Sequence, residues 1–580
     1  PQYPIFDASS GASVFFDKKN INGGAYDTTV KFEIPPFRLD SLSSNDPHSI
    51  GFDGTFKSGG IFPDFKERLV VMPDFSLGFD HKVPKNGYQL YEGTGKFYAK
   101  LTLDNKGIRG DGEIRYLTTT LWSNDFVFFK DSTKTEGTIV QMKEGPHPES
   151  REGVKFPKMK VSQYRLVWYP KIDSMFISNV KAPLAFYDST ATMIGTANLT
   201  KGGLLGKGVL FTRGSISEST TFNFEQKRFE ARNTKFQIES DDQDKPALLG
   251  IDVKLNFDLE KRFAHFSPEK EGFASNSFPY VQYRSSLEKG EWDLEKKIVT
   301  LAKPEEATLD KSYFYATRPN QDSLVFNATR GVYDIPKQTL NISGIPFIAV
   351  ADAHIFPDSG KVTIEQNAVM TTLQKAIIKV DTIKRYHHLY NGTIDITSRF
   401  KFGGVATYQY INLGEDTLAI RFQDFRTDPG RNKKEVLHTV AIGLVKDEDN
   451  LFVGPKIIYK GKVTLYADSP FLVFDGFIKL DLKGALNYSE WLKYTNDGED
   501  KQVKINLETA VSDNGVPLSS GLHLDKRTNQ LYTSFISKKF TQTDHDFFVA
   551  DKNFNYDLDS NEFQVGNANR LAGNSKQGNN

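Results

Sequence analysis

The chain has 580 residues, no cysteine, and equal numbers of basic and acidic residues, 73 of each. Without cysteine it has no disulfides, thiolate metal sites or cysteine nucleophiles. Its balanced charge gives no overall field that would draw it to nucleic acid or an anionic membrane. Phenylalanine (46) and tyrosine (24) are abundant, and aromatic side chains favour the half-buried surfaces of β-sheets. We therefore expect an all-β protein with little helix that does not bind nucleic acid.

Two further features bear on the compartment. No apolar run reaches the roughly 18 to 20 residues of a spanning helix, so we expect no transmembrane segment. A large chain in an oxidising compartment avoids mispaired disulfides when it has no cysteine. This favours an extracytoplasmic location, in the periplasm or associated with an outer membrane.

An internal repeat links residues 103–128 with residues 199–224, at an offset of 96 and with seven identities in 26 positions. The identical residues include Gly110 and Gly112 and their counterparts Gly206 and Gly208. Glycines two apart relieve crowding where backbones approach or where a sheet bends. A phosphate loop is disfavoured, because neither copy opens a helix or ends in Lys-Ser/Thr. The offset also permits separate β-sandwiches of that length.

A short phrase then occurs three times, and in each copy a large apolar residue is followed by an acid, a charged tip and a second apolar residue. This pattern predicts a β-hairpin in which the acid opens the turn by accepting backbone N–H groups. The predicted array continues through looser copies. The three copies are Phe224–Phe229, Phe257–Phe263 and Trp292–Ile298, and the looser ones begin at Leu103, Tyr333, Leu524 and Tyr556.

One segment, Gln366 to Ile383, is ambiguous between helix and strand. Val369, Leu373, Ile377 and Val380 lie near helical spacing. The β-branched content and the strand-like flanks favour a pair of strands equally.

The predicted domain organisation is one elongated β-hairpin repeat domain over residues 1–565. Three irregular stretches, near 144–158, 267–278 and 424–435, are possible joints within it. Residues 566–580 contain mainly Asn, Gly, Gln and Lys, a composition that predicts a disordered tail.

Few residues suggest chemistry. Asp352, His354, His387 and His388 are metal-ligand types, but adjacent histidines on a strand face opposite ways. Asp544-His545-Asp546 has the same weakness. There is no Gly-x-Ser-x-Gly elbow and no His-Glu-x-x-His motif. We therefore expect no metal, no cofactor, no catalytic residue and no enzyme, with a β-helix carbohydrate-active enzyme that uses paired carboxylates as the least favoured alternative.

The segment Val332–Gly344 resembles the repeating phrase of OstA-type proteins, the β-jellyroll components of bacterial lipopolysaccharide transport. In that family a strand ends in Tyr-Asp, a short turn follows, and the next strand runs Leu-x-x-x-Gly, as it does here from Leu340. Phe224–Thr234 and Tyr556–Gly566 are similar. The length and irregular spacing depart from the compact members. A related large uncharacterised all-β bacterial envelope protein is therefore the other interpretation.

The resemblance implies an open β-solenoid whose apolar inner face carries acyl chains. It implies a non-enzymatic lipid-binding or lipid-bridging protein of the cell envelope, with lipid or lipopolysaccharide and other envelope proteins as partners. Alternatively, the same interior is packed core, and the chain is a structural, adhesive or carbohydrate-binding repeat protein. The candidate groove residues are Phe222, Phe224, Phe257, Trp292, Leu340 and Ile342.

Overall fold

The computed structural model describes residues 5–39, 49–242, 244–429, 437–482, 488–498, 503–550, 552–557, 560 and 562–566. About 60% of the chain is strand. Within these ranges no helix is long and apolar enough to cross a membrane. Residues 430–435 of the third predicted joint and residues 567–580 of the predicted tail lie outside the described residues.

Helical structure in the described ranges is confined to short 3₁₀ segments, so the prediction of an all-β fold with little helix is confirmed. These segments are Asn22–Gly24, Pro170–Ile172, Tyr187–Ser189, Leu309–Lys311, Pro319–Gln321, Asp358–Gly360, Gln366–Ala368, Asp447–Asp449 and Leu507–Thr509.

The strands are numbered here in chain order. The first are β1 (Phe6–Ala8), β2 (Ala12–Phe15), β3 (Val30–Ile34), β4 (Phe37–Leu39), β5 (Gly51–Ser58), β6 (Phe65–Val71), β7 (Leu77–Lys82), β8 (Tyr88–Leu90), β9 (Gly95–Asp104), β10 (Gly107–Tyr116), β11 (Thr119–Phe128), β12 (Thr133–Met142), β13 (Met159–Tyr169), β14 (Ser174–Asn179), β15 (Leu184–Phe186), β16 (Ala191–Thr200), β17 (Gly203–Thr212), β18 (Ser215–Phe224), β19 (Arg228–Ile238), β20 (Leu248–Asp258), β21 (Phe263–Pro268), β22 (Asn276–Phe278), β23 (Tyr283–Ser285), β24 (Lys289–Asp293) and β25 (Ile298–Ala302).

The strands that follow are β26 (Tyr313–Ala316), β27 (Val325–Asn327), β28 (Arg330–Asp334), β29 (Thr339–Ser343), β30 (Ile348–Val350), β31 (Ala353–Phe356), β32 (Lys361–Glu365), β33 (Val369–Met370), β34 (Leu373–Val380), β35 (His387–Ser398), β36 (Lys401–Ile411), β37 (Thr417–Pro429), β38 (Leu437–Val445), β39 (Leu451–Gly454), β40 (Ile457–Tyr466), β41 (Val473–Leu480), β42 (Leu492–Asn496), β43 (Lys504–Asn506), β44 (Ser519–Asp525), β45 (Gln530–Ser537), β46 (His545–Val549), β47 (Asn553–Asp557) and β48 (Glu562–Gly566).

The chain divides into two units. Unit 1 contains Pro1–Pro279, Ser286–Pro304 and Asp334–Lys337, and unit 2 contains Tyr280–Ser285, Glu305–Tyr333 and Gln338–Asn580. In unit 1 an antiparallel sheet runs from β2 through β3, β5, β6, β7 and β9 to β14, and then through β16 to β21, β24 and β25. Most neighbours in this sheet are also consecutive in the chain, as expected for hairpins.

The long strands of unit 1 bend near their middles. Strand β18 buries alternate residues from Ser215 to Ser219, exposes Thr220 and Thr221 in succession, and then buries Phe222 and Phe224. The extra residue resets the two-residue alternation of side chains, as a β-bulge does. The buried side chains of both halves of the strand therefore point to the same side of the sheet, towards the interior.

The two copies of the glycine repeat have the same structure. The register of β10 with β11 shifts between Gly110 and Gly112, and that of β17 with β18 shifts between Gly206 and Gly208. A methyl group on Gly206 would lie 2.6 Å from the Phe224 ring, and one on Gly208 would lie 2.2 Å from a backbone oxygen of β16. The glycines therefore occupy the bend because no side chain fits there.

The irregular stretch 267–278 joins two strands that share one position in the sheet. Strands β21 and β22 together occupy one position beside β20, with Val253 opposite Pro268 and Leu249 opposite Ser277. The chain leaves the sheet after β21 and returns in β22. The stretch 144–158 connects β12 to β13, which are paired from Met142 and Met159 onward.

Unit 2 contains an antiparallel sheet in the order β30, β31, β34 to β38, β40, β41 and β42, and two three-stranded sheets, β43-β47-β48 and β45-β44-β46. The ambiguous segment from Gln366 forms a 3₁₀ turn and then β33 and β34. Ile378 of β34 pairs with Leu389 of β35. Tertiary pairing of β-branched residues therefore decides for strand over helix.

The turn acids cap the hairpins as the phrase predicts. Asp258 Oδ1 accepts the backbone N–H groups of Glu260 and Lys261 at 3.1 and 2.9 Å. Asp293 Oδ1 likewise accepts the backbone N–H groups of Lys296 and Glu295, at 3.0 and 3.1 Å. The residue four positions after the acid is left-handed in four of these turns, with φ of 54° or 55°, and none of the four is glycine: Arg262, Lys297, Gln338 and Asn529.

Candidate functional site

The predicted groove residues all lie in the interior of their units. Phe222 and Leu340 are fully buried, and Trp292, the most exposed of the six, is 5% exposed. The six side chains therefore face the interior, and their use as a ligand site depends on whether other side chains fill the space in front of them. The remaining three are Phe224, Phe257 and Ile342, at 2%, 1% and 1% exposure.

Neighbouring rings fill the interior of unit 1 around these positions. Phe224 stacks on Phe186 with ring centroids 4.3 Å apart. Phe257 stacks on Phe229 at 5.1 Å and meets Trp292 edge-on at 6.1 Å. Contacts at these separations are those of aromatic pairs in a packed core.

Several rings touch although two strands lie between their own strands in the sheet. The pairs are Tyr116 with Trp168 at 5.2 Å, Phe186 with Phe224 at 4.3 Å, and Phe236 with Trp292 at 6.1 Å. Strands three apart in a flat sheet are separated by about 14 Å. The bent strands therefore bring opposing parts of the inner face into contact.

The two groove candidates of unit 2 also meet a crowded interior. Leu340 and Ile342 are paired with Ile364 and Val362 on β32. A methyl group on the nearby Gly331 would lie 2.6 Å from the Phe314 ring and 3.6 Å from a Leu340 methyl. Leu340 therefore packs beside buried side chains of the neighbouring strands.

The residues considered as metal ligands are engaged elsewhere in unit 2. His387 is buried, its Nε2 lies 2.7 Å from the Ser469 carbonyl oxygen, and burial lowers its pKa. His354 and His388 are both cross-strand neighbours of Lys379, whose charge would repel a cation. Burial is the main cause that lowers the pKa of both histidines. Among the described residues no group of three or more His, Asp or Glu side chains is placed to hold a metal ion.

The outer face of unit 1 carries a polar row that crosses several strands. Each residue pairs directly with the next across the strands β18, β19, β20, β21, β24 and β25. The row is Asn223, Glu230, Asn256, His265, Glu291 and Thr300.

The middle of the row, from Glu230 to Glu291, lies in a shallow cleft. One part has a volume of about 360 Å³ and an adjoining part about 290 Å³, and both are lined by Asn256 and His265. Asn256 Nδ2 donates to Glu230 Oε1 at 3.1 Å, and His265 Nδ1 lies 3.6 Å from Glu291 Oε1. The Phe263 ring lies 4.9 Å from the His265 ring. The cleft thus combines hydrogen-bond donors, acceptors and one half-buried aromatic edge.

The sequence contained a signal for this row that the hairpin interpretation passed over. Asn223, Asn256 and Glu291 each directly precede the large apolar residue of a hairpin phrase. Successive strand residues face opposite sides, so a polar residue before each buried ring must lie on the outer face. Only the strand register, which the sequence does not give, aligns the three into one row.

Comparison with known protein families, curated proteins and solved structures finds no match to this chain.

Proposed function

We propose that this chain is a structural or adhesive β-scaffold with packed interiors, and that it does not conduct lipid along an inner groove. The supporting observation is the contact between rings on strands three apart in unit 1, such as Tyr116 with Trp168. These rings occupy the space that acyl chains would need. Protein interiors are normally close-packed, so a filled interior needs no ligand.

We further propose that the polar row is the adhesive surface and that it binds carbohydrate. A saccharide offers many hydroxyl groups in a line, and the alternating carboxylate, amide and imidazole groups of the row supply both donors and acceptors. The half-buried Phe263 adds an apolar edge to the cleft. In ligand sites a small number of placed polar groups fixes the orientation of the ligand and provides specificity.

Lipid analysis separates this proposal from the lipid-bridging alternative. A photo-crosslinking residue is placed at Phe224, on the inner face, and in a control at Asn223, on the outer face. The protein is then purified under mild conditions and examined by mass spectrometry. We expect no stoichiometric lipid and no lipid adduct at either position. A lipid adduct at position 224 but not at 223 would support the lipid-bridging function instead.

Glycan binding is measured on an oligosaccharide array and then by calorimetry with the best ligand. Asn256→Ala and His265→Ala should each weaken binding by about fivefold, since each loses a hydrogen bond to ligand worth about 1 kcal/mol. Glu136→Gln, on the outer face of β12, is the matched control and should bind normally. Equal affinity in all variants, or no bound glycan, would contradict the carbohydrate proposal. The location of the protein in the cell envelope and its binding to other envelope proteins are still predictions.

A further inference from the structure

A second cluster of polar side chains lies in the three-stranded sheet β45-β44-β46 of unit 2. The proposed scaffold function does not use it. His523 of β44 is fully buried. Its Nδ1 lies 2.7 Å from Asp546 Oδ1 on β46, and its Nε2 lies 2.6 Å from Ser534 Oγ on β45. The histidine therefore joins a carboxylate and a hydroxyl through its two ring nitrogens.

The sheet register produces this arrangement. His523 is directly opposite Asp546 across the β44–β46 pair. On the other side Ser534 is directly opposite Gly521, two residues from His523 on the same face. The imidazole therefore reaches the hydroxyl diagonally across the β44–β45 pair. Diagonal neighbours in antiparallel strands are within reach of such side chains.

The electrostatics fix the tautomer that a general base requires. Lys539 Nζ lies 2.7 Å from Asp546 Oδ2. Burial opposes ionisation of Asp546, but hydrogen bonds from Lys539 and His523 outweigh it and lower the pKa of this carboxyl. An ionised Asp546 accepts the Nδ1–H of His523, which leaves the Nε2 lone pair free to accept the Ser534 hydroxyl proton.

The geometry points to a serine hydrolase site in which Ser534 is the nucleophile, His523 the general base and Asp546 the residue that orients the histidine. This constellation is identified by geometry and roles, independently of fold and of chain order. It extends the proposed scaffold function, and for this sheet it replaces the expectation that the chain contains no enzyme.

The reaction is acyl transfer from a carboxylic ester. Ser534 Oγ attacks the carbonyl carbon while its proton passes to His523 Nε2. The tetrahedral adduct then collapses, the carbon–oxygen bond to the alcohol breaks, and the alcohol leaves with that proton. Water, deprotonated by the same nitrogen, attacks the acyl-serine, and the carboxylic acid departs as the serine recovers its proton.

The surroundings favour an ester with an apolar or aromatic group. The Tyr532 ring lies 5.2 Å from the His523 ring and is stacked by Phe540 at 4.0 Å. Phe540 is 62% exposed, so its ring offers a solvent-accessible apolar surface beside the cluster. Ser534 itself is half-buried and reaches solvent.

The test uses the full chain, a fluorophosphonate probe and p-nitrophenyl butyrate. We expect the probe to label the protein, with the adduct mapped by peptide mass spectrometry to Ser534, and ester hydrolysis above the buffer rate. Ser534→Ala should abolish labelling, and Asp546→Asn should lower the hydrolysis rate by about 10³- to 10⁴-fold. Ser537→Ala, on the same strand but outside the cluster, is the matched control and should match the wild type in both assays.

Adduct mapping on the wild type keeps the test decisive even if a variant fails to fold. An adduct on Ser519, whose Oγ lies 3.4 Å from His523 Nε2, would overturn the assignment of Ser534. No adduct at all, under conditions that label a known serine hydrolase, would overturn the site and leave His523 as a structural histidine. Neither outcome bears on the packed interior or on the polar row of unit 1.

Discussion

The rings of Phe236 and Trp292 touch with centroids 6.1 Å apart, although β20 and β21 lie between their own strands in the sheet. Phe236 belongs to the half of β19 beyond its bend, and Trp292 begins a hairpin phrase near the end of β24. The contact is possible because the bent strands turn opposing parts of one face towards each other. The large residue of the phrase is therefore a core residue that holds the bent sheet closed.

Replacing Trp292 by alanine should lower the free energy of unfolding of unit 1 by about 3 to 5 kcal/mol, because it leaves a cavity between packed rings. Chemical denaturation followed by circular dichroism measures this loss. Leu205→Ala is the control, since Leu205 is 43% exposed on β17 and should cost about 0.5 kcal/mol or less. Equal losses for the two variants would show that Trp292 does not pack against the opposing strands.

Gly208 should resist substitution because of its place at the bend. It has a φ of 148°, and a methyl group there would lie 2.2 Å from a backbone oxygen. We expect Gly208→Ala to cost about 1 to 3 kcal/mol through forced backbone shifts. Gly403→Ala is the control, because nothing lies within 4 Å of the added methyl group. If Gly208→Ala unfolds at the same denaturant concentration as Gly403→Ala, the bend does not require glycine.

The turn acid Asp293 should contribute to stability in a way that depends on pH. A hydrogen bond from Lys296 is the largest cause that lowers the pKa of Asp293. A carboxyl with a lowered folded pKa stabilises the fold above its unfolded pKa of about 3.9, and that contribution is lost as the pH falls through the folded value.

Asp293→Asn should therefore be near neutral at pH 7, since asparagine also accepts backbone N–H groups at a turn, and it should flatten the loss of stability below about pH 4. Thermal unfolding between pH 7 and pH 2 measures both effects. A variant whose stability profile runs parallel to that of the wild type throughout would refute the linkage.

The left-handed residue of the turn offers a stabilising change. Lys297 has a φ of 55°, a conformation that costs a residue with a Cβ more than it costs glycine. Lys297→Gly should raise the free energy of unfolding by roughly 0.5 to 1 kcal/mol. Lys296→Gly, one position earlier and without positive φ, should instead lower it. Destabilisation by both changes would mean that the backbone strain at Lys297 is negligible.

The hairpins could be predicted from the sequence because their determinants are local. Asp258 and Asp293 cap turns within three residues of themselves, and the paired glycines mark a bend that recurs at a fixed offset. The choice between helix and strand after Gln366 could not be made locally, since the pairing of β34 with β35 decides it. The phrase also predicts which side chains face inward, but it does not predict which residues pack against them in the interior.

The candidate sites escaped prediction for the same reason. The polar row and the cluster of His523, Ser534 and Asp546 both assemble across strand pairs, so their spacing in the chain has no pattern. Asp546 entered the sequence interpretation only as part of a weak metal motif. Its partner His523 lies 23 residues earlier, directly before a phrase interpreted only as a hairpin. The strand register, which depends on long-range pairing, brings the side chains of both candidate sites together.

A double-mutant cycle between Phe236 and Trp292, with leucine at each position, tests the packed interior most directly. Rings in contact should show a coupling energy of about 0.5 to 1.5 kcal/mol. A cycle between Phe97 on β9 and Trp292 on β24, strands that are not paired with each other, provides the baseline, within about 0.5 kcal/mol of zero. Coupling between Phe236 and Trp292 above that baseline supports a closed core, whereas coupling equal to the baseline would contradict it and favour an open groove.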